Sequence, residues 1–144
     1  MPVSLMDARI SELTSPVFPT VGDVQFSTVP LGFESAVLMI SGEIDIVSAP
    51  PLRENLRVRV QEYRTLVVDF SGVDFFGSAG LGLFDTLEQA ERDKGLEFEV
   101  VYGRSVARML RAAALDAQWP SCASIYDAVR EVETRGHRSL APAV

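Results

Sequence analysis

A serine set among glycines, in Gly77-Ser78-Ala79-Gly80-Leu81-Gly82, is the clearest candidate for chemistry in the chain. Such a setting suits a phosphate cradle, an acyl-transfer nucleophile, or a helix start that a partner approaches closely. The segment is neither G-x-G-x-x-G nor a Walker loop, because no Lys-Ser/Thr follows the glycines. It is not a nucleophile elbow, since Phe76 stands where G-x-S-x-G requires its first glycine. The sole histidine, His137, falls near the C-terminus, so no Ser-His-acid triad is expected and the chain reads as a non-enzyme. One histidine and one cysteine, Cys122, leave no His-rich metal site and no internal disulfide, and no cofactor is expected. Cys122 beside Trp119 and Pro120 reads as plain packing.

What remains is a helix start. Gly77 is expected to turn the chain with a positive φ. Ser78 is expected at the N-cap, accepting from the N–H of Gly80 or Leu81. Gly80 and Gly82 each cost a helix roughly 1 kcal/mol relative to alanine. Their presence therefore calls for close packing or a close partner.

The elements that must hold this segment are legible from periodicity. Val24–Pro30 and Ala36–Ser41 read as strands, followed by a Gly42-Glu43-Ile44-Asp45 connection. Ser48 with Pro50 and Pro51 starts a helix, whose Leu52, Leu56 and Val60 repeat every four residues up to about Tyr63. Thr65–Phe70 is an apolar run buried on both faces. A turn at Ser71-Gly72 and a short apolar piece ending at Phe76 lead into the helix from Ser78, which Gly95 stops. Leu96–Tyr102 is another strand. Val106, Met109, Leu110 and Ala113 mark a third helix, and Ser124 caps a fourth that ends near Glu133. Strands alternating with helices predict an α/β fold, a mixed sheet of four to five strands with about four helices packed on it. Residues 1–23 read as a flexible N-terminal extension, 24–133 as the folded domain, and 134–144 as a frayed tail.

The chain has 144 residues, 47% of them hydrophobic, and a formal net charge of -7. That length suffices for one domain burying roughly 70% of its unfolded surface. The acidity disfavours phosphate-neutralising nucleic-acid binding and adhesion to an anionic membrane. No signal-peptide core or membrane span is visible, so a soluble, cytoplasmic protein is expected. Arg104, Arg108 and Arg111 fall at helical spacing and read as a solvated helix face.

Residues 24–133 resemble a STAS domain, specifically its anti-sigma-factor antagonist branch. The resemblance rests on Ser41-Gly42-Glu43-Ile44-Asp45 after a buried strand and on Ser48-Ala49-Pro50-Pro51-Leu52. It rests further on Val67-Val68-Asp69-Phe70-Ser71-Gly72-Val73-Asp74-Phe75 leading into Ser78-Ala79-Gly80-Leu81-Gly82. In that family the helix opens with a motif like Asp-Ser-Ser-Gly-Leu-Gly, and an anti-sigma kinase phosphorylates the first serine. The match falls on Ser78. Gly77 replaces the family's aspartate and Ala79 its second hydroxyl residue, so the acceptor is kept while a neighbouring carboxylate is lost.

The resemblance implies an antagonist that binds an anti-sigma factor of the GHKL-type serine kinase class and frees its sigma factor. Phosphorylation of Ser78 would switch it off, and a phosphatase would be a further partner. The implied binding surface comprises Glu43, Asp45, Asp74, Gly77, Ser78, Ala79, Gly80 and Gly82. STAS-like domains also occur on anion transporters and in lipid-trafficking complexes. A transport-complex subunit or a small-ligand-sensing module is therefore the alternative.

Overall fold

The computed structural model describes the backbone of residues 20–21 and 24–140. In chain order come β1 (Thr20–Val21), β2 (Val24–Pro30), β3 (Ser35–Ile44), α1 (Ala49–Glu62) and β4 (Thr65–Phe76). A 3-10 turn (Ser78–Gly80) runs straight into α2 (Leu81–Lys94). Then follow β5 (Glu97–Tyr102), α3 (Arg104–Ala112), β6 (Ser121–Cys122) and α4 (Ile125–Leu140). The strands form one sheet in chain order, antiparallel from β1 to β3 and parallel from β3 to β6. This is the mixed α/β sheet that the sequence predicts, its edges closed by two-residue strands. Thr20 and Val21, within the expected extension, pair with Gln25 and Val24 of β2. The rest of 1–23 lies outside the described residues, as do 141–144 of the expected tail.

Helical crossovers between parallel strands dictate the layering. Along β4, Leu66, Val68 and Phe70 point to one face and Val67 to the other, all fully buried. The first face packs against Leu52, Leu56 and Val60 of α1, Leu83, Phe84 and Leu87 of α2, and Val106 and Leu110 of α3. The second face is covered by α4 through Ala128, Val129 and Val132, which meet Val29, Val37, Val67 and Val101. Gly95, at φ 74°, ends α2 in the left-handed conformation, as its position predicts. The Ser124 hydroxyl accepts the Asp127 N–H at the start of α4 (3.2 Å).

Three elements, β3, β4 and α4, run longer than their sequence predicts. Ser71-Gly72 makes no turn, and Gly42-Glu43-Ile44 makes no loop. Instead β3 and β4 stay paired out to Ile44↔Phe76, absorbing register shifts between Met39 and Ser41 and between Gly42 and Glu43. Each shift is a bulge that places an extra residue on β4. The Asp69 carboxylate accepts the Ser71 N–H at the first bulge (2.9 Å), replacing a ladder partner. At that bulge a Cβ on Gly72 would lie 2.9 Å from that of Ser41, and at the second shift Gly42 takes φ 103°.

The third is α4, which does not fray after Glu133 but continues to Leu140. Its last turns are held by a buried charge. Glu99 of β5 is 4% exposed on the α4 face, and Arg135 pairs with it through Nη2. The Cys122 thiol donates to the other Glu99 oxygen (3.1 Å). A carboxylate taken out of water needs such partners, and only a helix extended past Glu133 delivers the arginine.

Candidate functional site

The extended β3–β4 pair carries both strands to one end of the sheet, where the 3-10 turn begins. Gly77 is extended (φ -83°, ψ 173°) and has no positive φ, contrary to expectation. Its N–H donates to the Ile44 carbonyl (2.9 Å), prolonging the ladder by one bond. Glycine is favoured there by space, because a Cβ would stand 3.2 Å from the Phe75 ring. Ser78 is not an N-cap. It is the first residue of the 3-10 turn, closed by Gly80 N–H donating to Gly77 C=O (2.9 Å). The backbone does the capping, and the exposed Ser78 hydroxyl has no hydrogen-bond partner among the described residues.

Gly80 and Gly82 serve packing beneath this serine. Gly80 is buried, and a Cβ on it would lie 2.6 Å from the Phe76 ring. That ring meets Phe70 and Phe84 edge-on at 6.0 and 6.1 Å, and Phe84 stacks on Trp119 at 4.4 Å. Trp119 donates its indole N–H to Glu88 (3.0 Å). The turn bearing Ser78 thus sits on a cluster of interlocked rings. Gly82 leaves room for Arg53 of α1, whose guanidinium would stand 3.4 Å from a Cβ there.

The acidic residues do different jobs. Asp45 accepts the N–H groups of Val47 and Ser48 (both 2.9 Å), while Ser48 accepts the Asp45 N–H and donates to Glu43 C=O (2.8 Å). The Ser48 and Val47 amides hold the Asp45 carboxyl below its ordinary value. This reciprocal knot fixes the loop between β3 and α1. Glu43 and Asp74 are exposed near that end, and Ala79 is half-buried against the core.

Sequence reading missed the apolar part of this end. Ile46 is 81% exposed, Val47 73% and Phe75 50%, flanking the Ser78 turn on the loop after β3 and the end of β4. The signal was present: two branched apolar residues stand between turn-forming Asp45 and Ser48, where no core can reach them. Arg104, Arg108 and Arg111 are exposed on α3. Among the described residues no three His, Cys, Asp or Glu side chains converge as metal ligands, and no helix is long and apolar enough to cross a membrane.

The family model described as "Mlab, STAS domain" matches residues 27–132. The anti-sigma-F factor antagonist RsfB of Mycobacterium tuberculosis is 35% identical over 105 residues, 72% of this chain and 84% of that protein. A crystal structure of an anti-sigma factor antagonist from Mycobacterium paratuberculosis superposes with TM-score 0.65 at 30% identity, over 76% of this chain and 94% of that one. The anti-sigma factor antagonist SpoIIAA in its unphosphorylated form superposes with TM-score 0.64 at 16% identity, over 76% of this chain and 96% of that one, a likeness of fold alone.

Proposed function

The chain belongs to the STAS-domain family, and from that premise we propose that it is a cytoplasmic anti-sigma-factor antagonist that docks its partner around Ser78. The observation that carries this reading is the exposed serine flanked by Ile46, Val47 and Phe75 and by the carboxylates of Glu43, Asp45 and Asp74. Large apolar side chains held in solvent by a rigid loop and strand end are suited to burial against a protein. The acidic rim steers association with a basic partner surface. The names of the similar antagonists favour an anti-sigma factor as that partner and release of its sigma factor as the consequence.

Phosphorylation of Ser78 by a GHKL-type kinase would oppose docking for an electrostatic reason. It adds a charge of about -1.5 to -2. The start of α2 tolerates that charge through its dipole, so the fold persists. An interface closing over Asp74 and Asp45 would not tolerate it. An uncompensated buried charge costs roughly 3–5 kcal/mol, or about two to three and a half decades in affinity. A phosphatase would restore binding.

Calorimetric titration against the cognate anti-sigma factor tests the switch. Ser78→Ala is expected to bind within a few-fold of wild type and Ser78→Glu at least about 100-fold more weakly. Equal affinity of Ser78→Glu and wild type would overturn it. A pull-down with wild-type bait that recovers transport-complex subunits instead of a kinase would replace the sigma-factor reading with the transport one.

A further inference from the structure

Arg53 lies over the bare backbone of Gly82, one helical turn from Ser78, and we propose that its guanidinium is the internal receptor for a phosphate on Ser78. The inference rests on the reading of Ser78 as the modified residue, and it concerns how this chain holds the added group. Helices α1 and α2 each follow one of two neighbouring parallel strands, so they run side by side in the same direction. Arg53 crosses between them. Its Nε donates to Thr86 Oγ1 (3.0 Å), and Nη1 lies 3.4 Å from where a Cβ on Gly82 would stand. Thr86 is held in turn by donating to Gly82 C=O (3.0 Å).

Gly82 and Thr86, four apart on α2, are surface neighbours, and Ser78 stands about one turn before Gly82 on the 3-10 turn that leads into the helix. The guanidinium is thus anchored at the Thr86 end of the row and spread over its middle. The next position along is the serine. The Nη nitrogens have no hydrogen-bond or ion-pair partner among the described residues, so donors are available for a new acceptor.

The surrounding charges favour this arginine over any other group. Arg57, the next cation along α1, is already paired with Glu54. Glu43 and Asp45 on the loop after β3, and Asp74 on β4, are carboxylates that repel a phosphate. Asp85 of α2 lines the groove between the helices together with Arg53 and Arg57, and does not pair with Arg53. A phosphate leaving the acidic side meets one half-buried guanidinium able to take two of its oxygens in a fork. Gly82 acquires a role here: a Cβ would already touch the guanidinium at 3.4 Å, so a side chain larger than a methyl would push it off the row.

The test uses the full chain with phosphoserine installed at position 78 during translation, titrated by 31P NMR. The second ionisation of phosphoserine lies ordinarily near about 6. Opposite charge at short range lowers such a value by about one unit or more, and that is the wild-type expectation. Arg53→Gln is expected to raise it back toward about 6, because the carboxylates then oppose only the helix dipole. Gly82→Leu, which displaces the guanidinium without removing it, is expected to do the same, while Arg53→Lys keeps part of the shift and Arg57→Gln all of it. Identical titrations for wild type and Arg53→Gln, or an equal effect of Arg57→Gln, would overturn the proposal. Folding of each variant is checked on the unmodified chain by its amide spectrum. No kinase enters this test. A kinase that leaves Ser78 unmodified sinks the switch reading alone, and an unshifted phosphate sinks Arg53 alone.

Discussion

At Ser78 the hydroxyl is available because the backbone has taken over its expected capping duty: the Gly77 carbonyl closes the 3-10 turn. Asp45 shows the reverse economy, a carboxylate of the implied binding surface spent on holding the Ile46–Val47 loop by two amides. Cys122 is decided by its neighbours in the same way. Burial, and then donation to Glu99, push its thiol from the ordinary 9.0 to about 12. The native thiol therefore stays protonated where an unfolded chain's thiol ionises. Its contribution to stability is complete below about pH 9 and is lost as pH rises toward 12. At pH 8 the native protein is expected to react with iodoacetamide at least about tenfold more slowly than the urea-unfolded chain. Mass-spectrometric labelling rates that match in the two states would contradict this.

Glycines at the same element play different parts, and substitution separates them. Gly80→Ala gains about 1 kcal/mol of helix propensity but drives a methyl to 2.6 Å from the Phe76 ring. Overpacking of that kind costs about 1–3 kcal/mol, so a lower urea midpoint is expected. Gly82→Ala meets only the far end of Arg53 at 3.4 Å and is expected to leave the midpoint unchanged or raise it. The opposite order of midpoints would show that the ring cluster does not hold the turn. On the other face, Arg135 is what gives the last turns of α4 their purpose. Arg135→Ala leaves Glu99 buried without its cation and is expected to cost about 3–5 kcal/mol. Adding Glu99→Leu should recover much of that loss, which a double-mutant cycle in urea measures. A loss of under about 0.5 kcal/mol for Arg135→Ala would mean that the buried pair contributes no more than a surface ion pair.

Across the whole molecule, local signals carried the architecture and failed where a signal lay in another strand or helix. The type and order of the long strands and helices were legible, because an apolar run such as Thr65–Phe70 and the four-residue repeat of Leu52, Leu56 and Val60 report burial directly. The end of β4 was not. Ser71-Gly72 has turn composition, and only pairing with β3 and the Asp69–Ser71 bond turn it into a bulged strand. The end of α4 was missed because Gly136 breaks the local pattern, while the reason to continue lies on β5 at Glu99. At the candidate site the sequence singled out Ser78 and the acidic residues, but it set Ile46, Val47 and Phe75 aside. Gly80 and Gly82 proved to be places where a ring and a guanidinium lie against the helix. By itself, then, the sequence determined the alternation of strands and helices, the acidic character and the serine at a helix start. These depend on residue type and on spacing along the chain. The tertiary structure alone decided that this serine is exposed, what flanks it and which arginine of α1 lies across α2 at Gly82 and Thr86. Each of those depends on side chains brought together from distant segments, and no period along the chain encodes such a meeting.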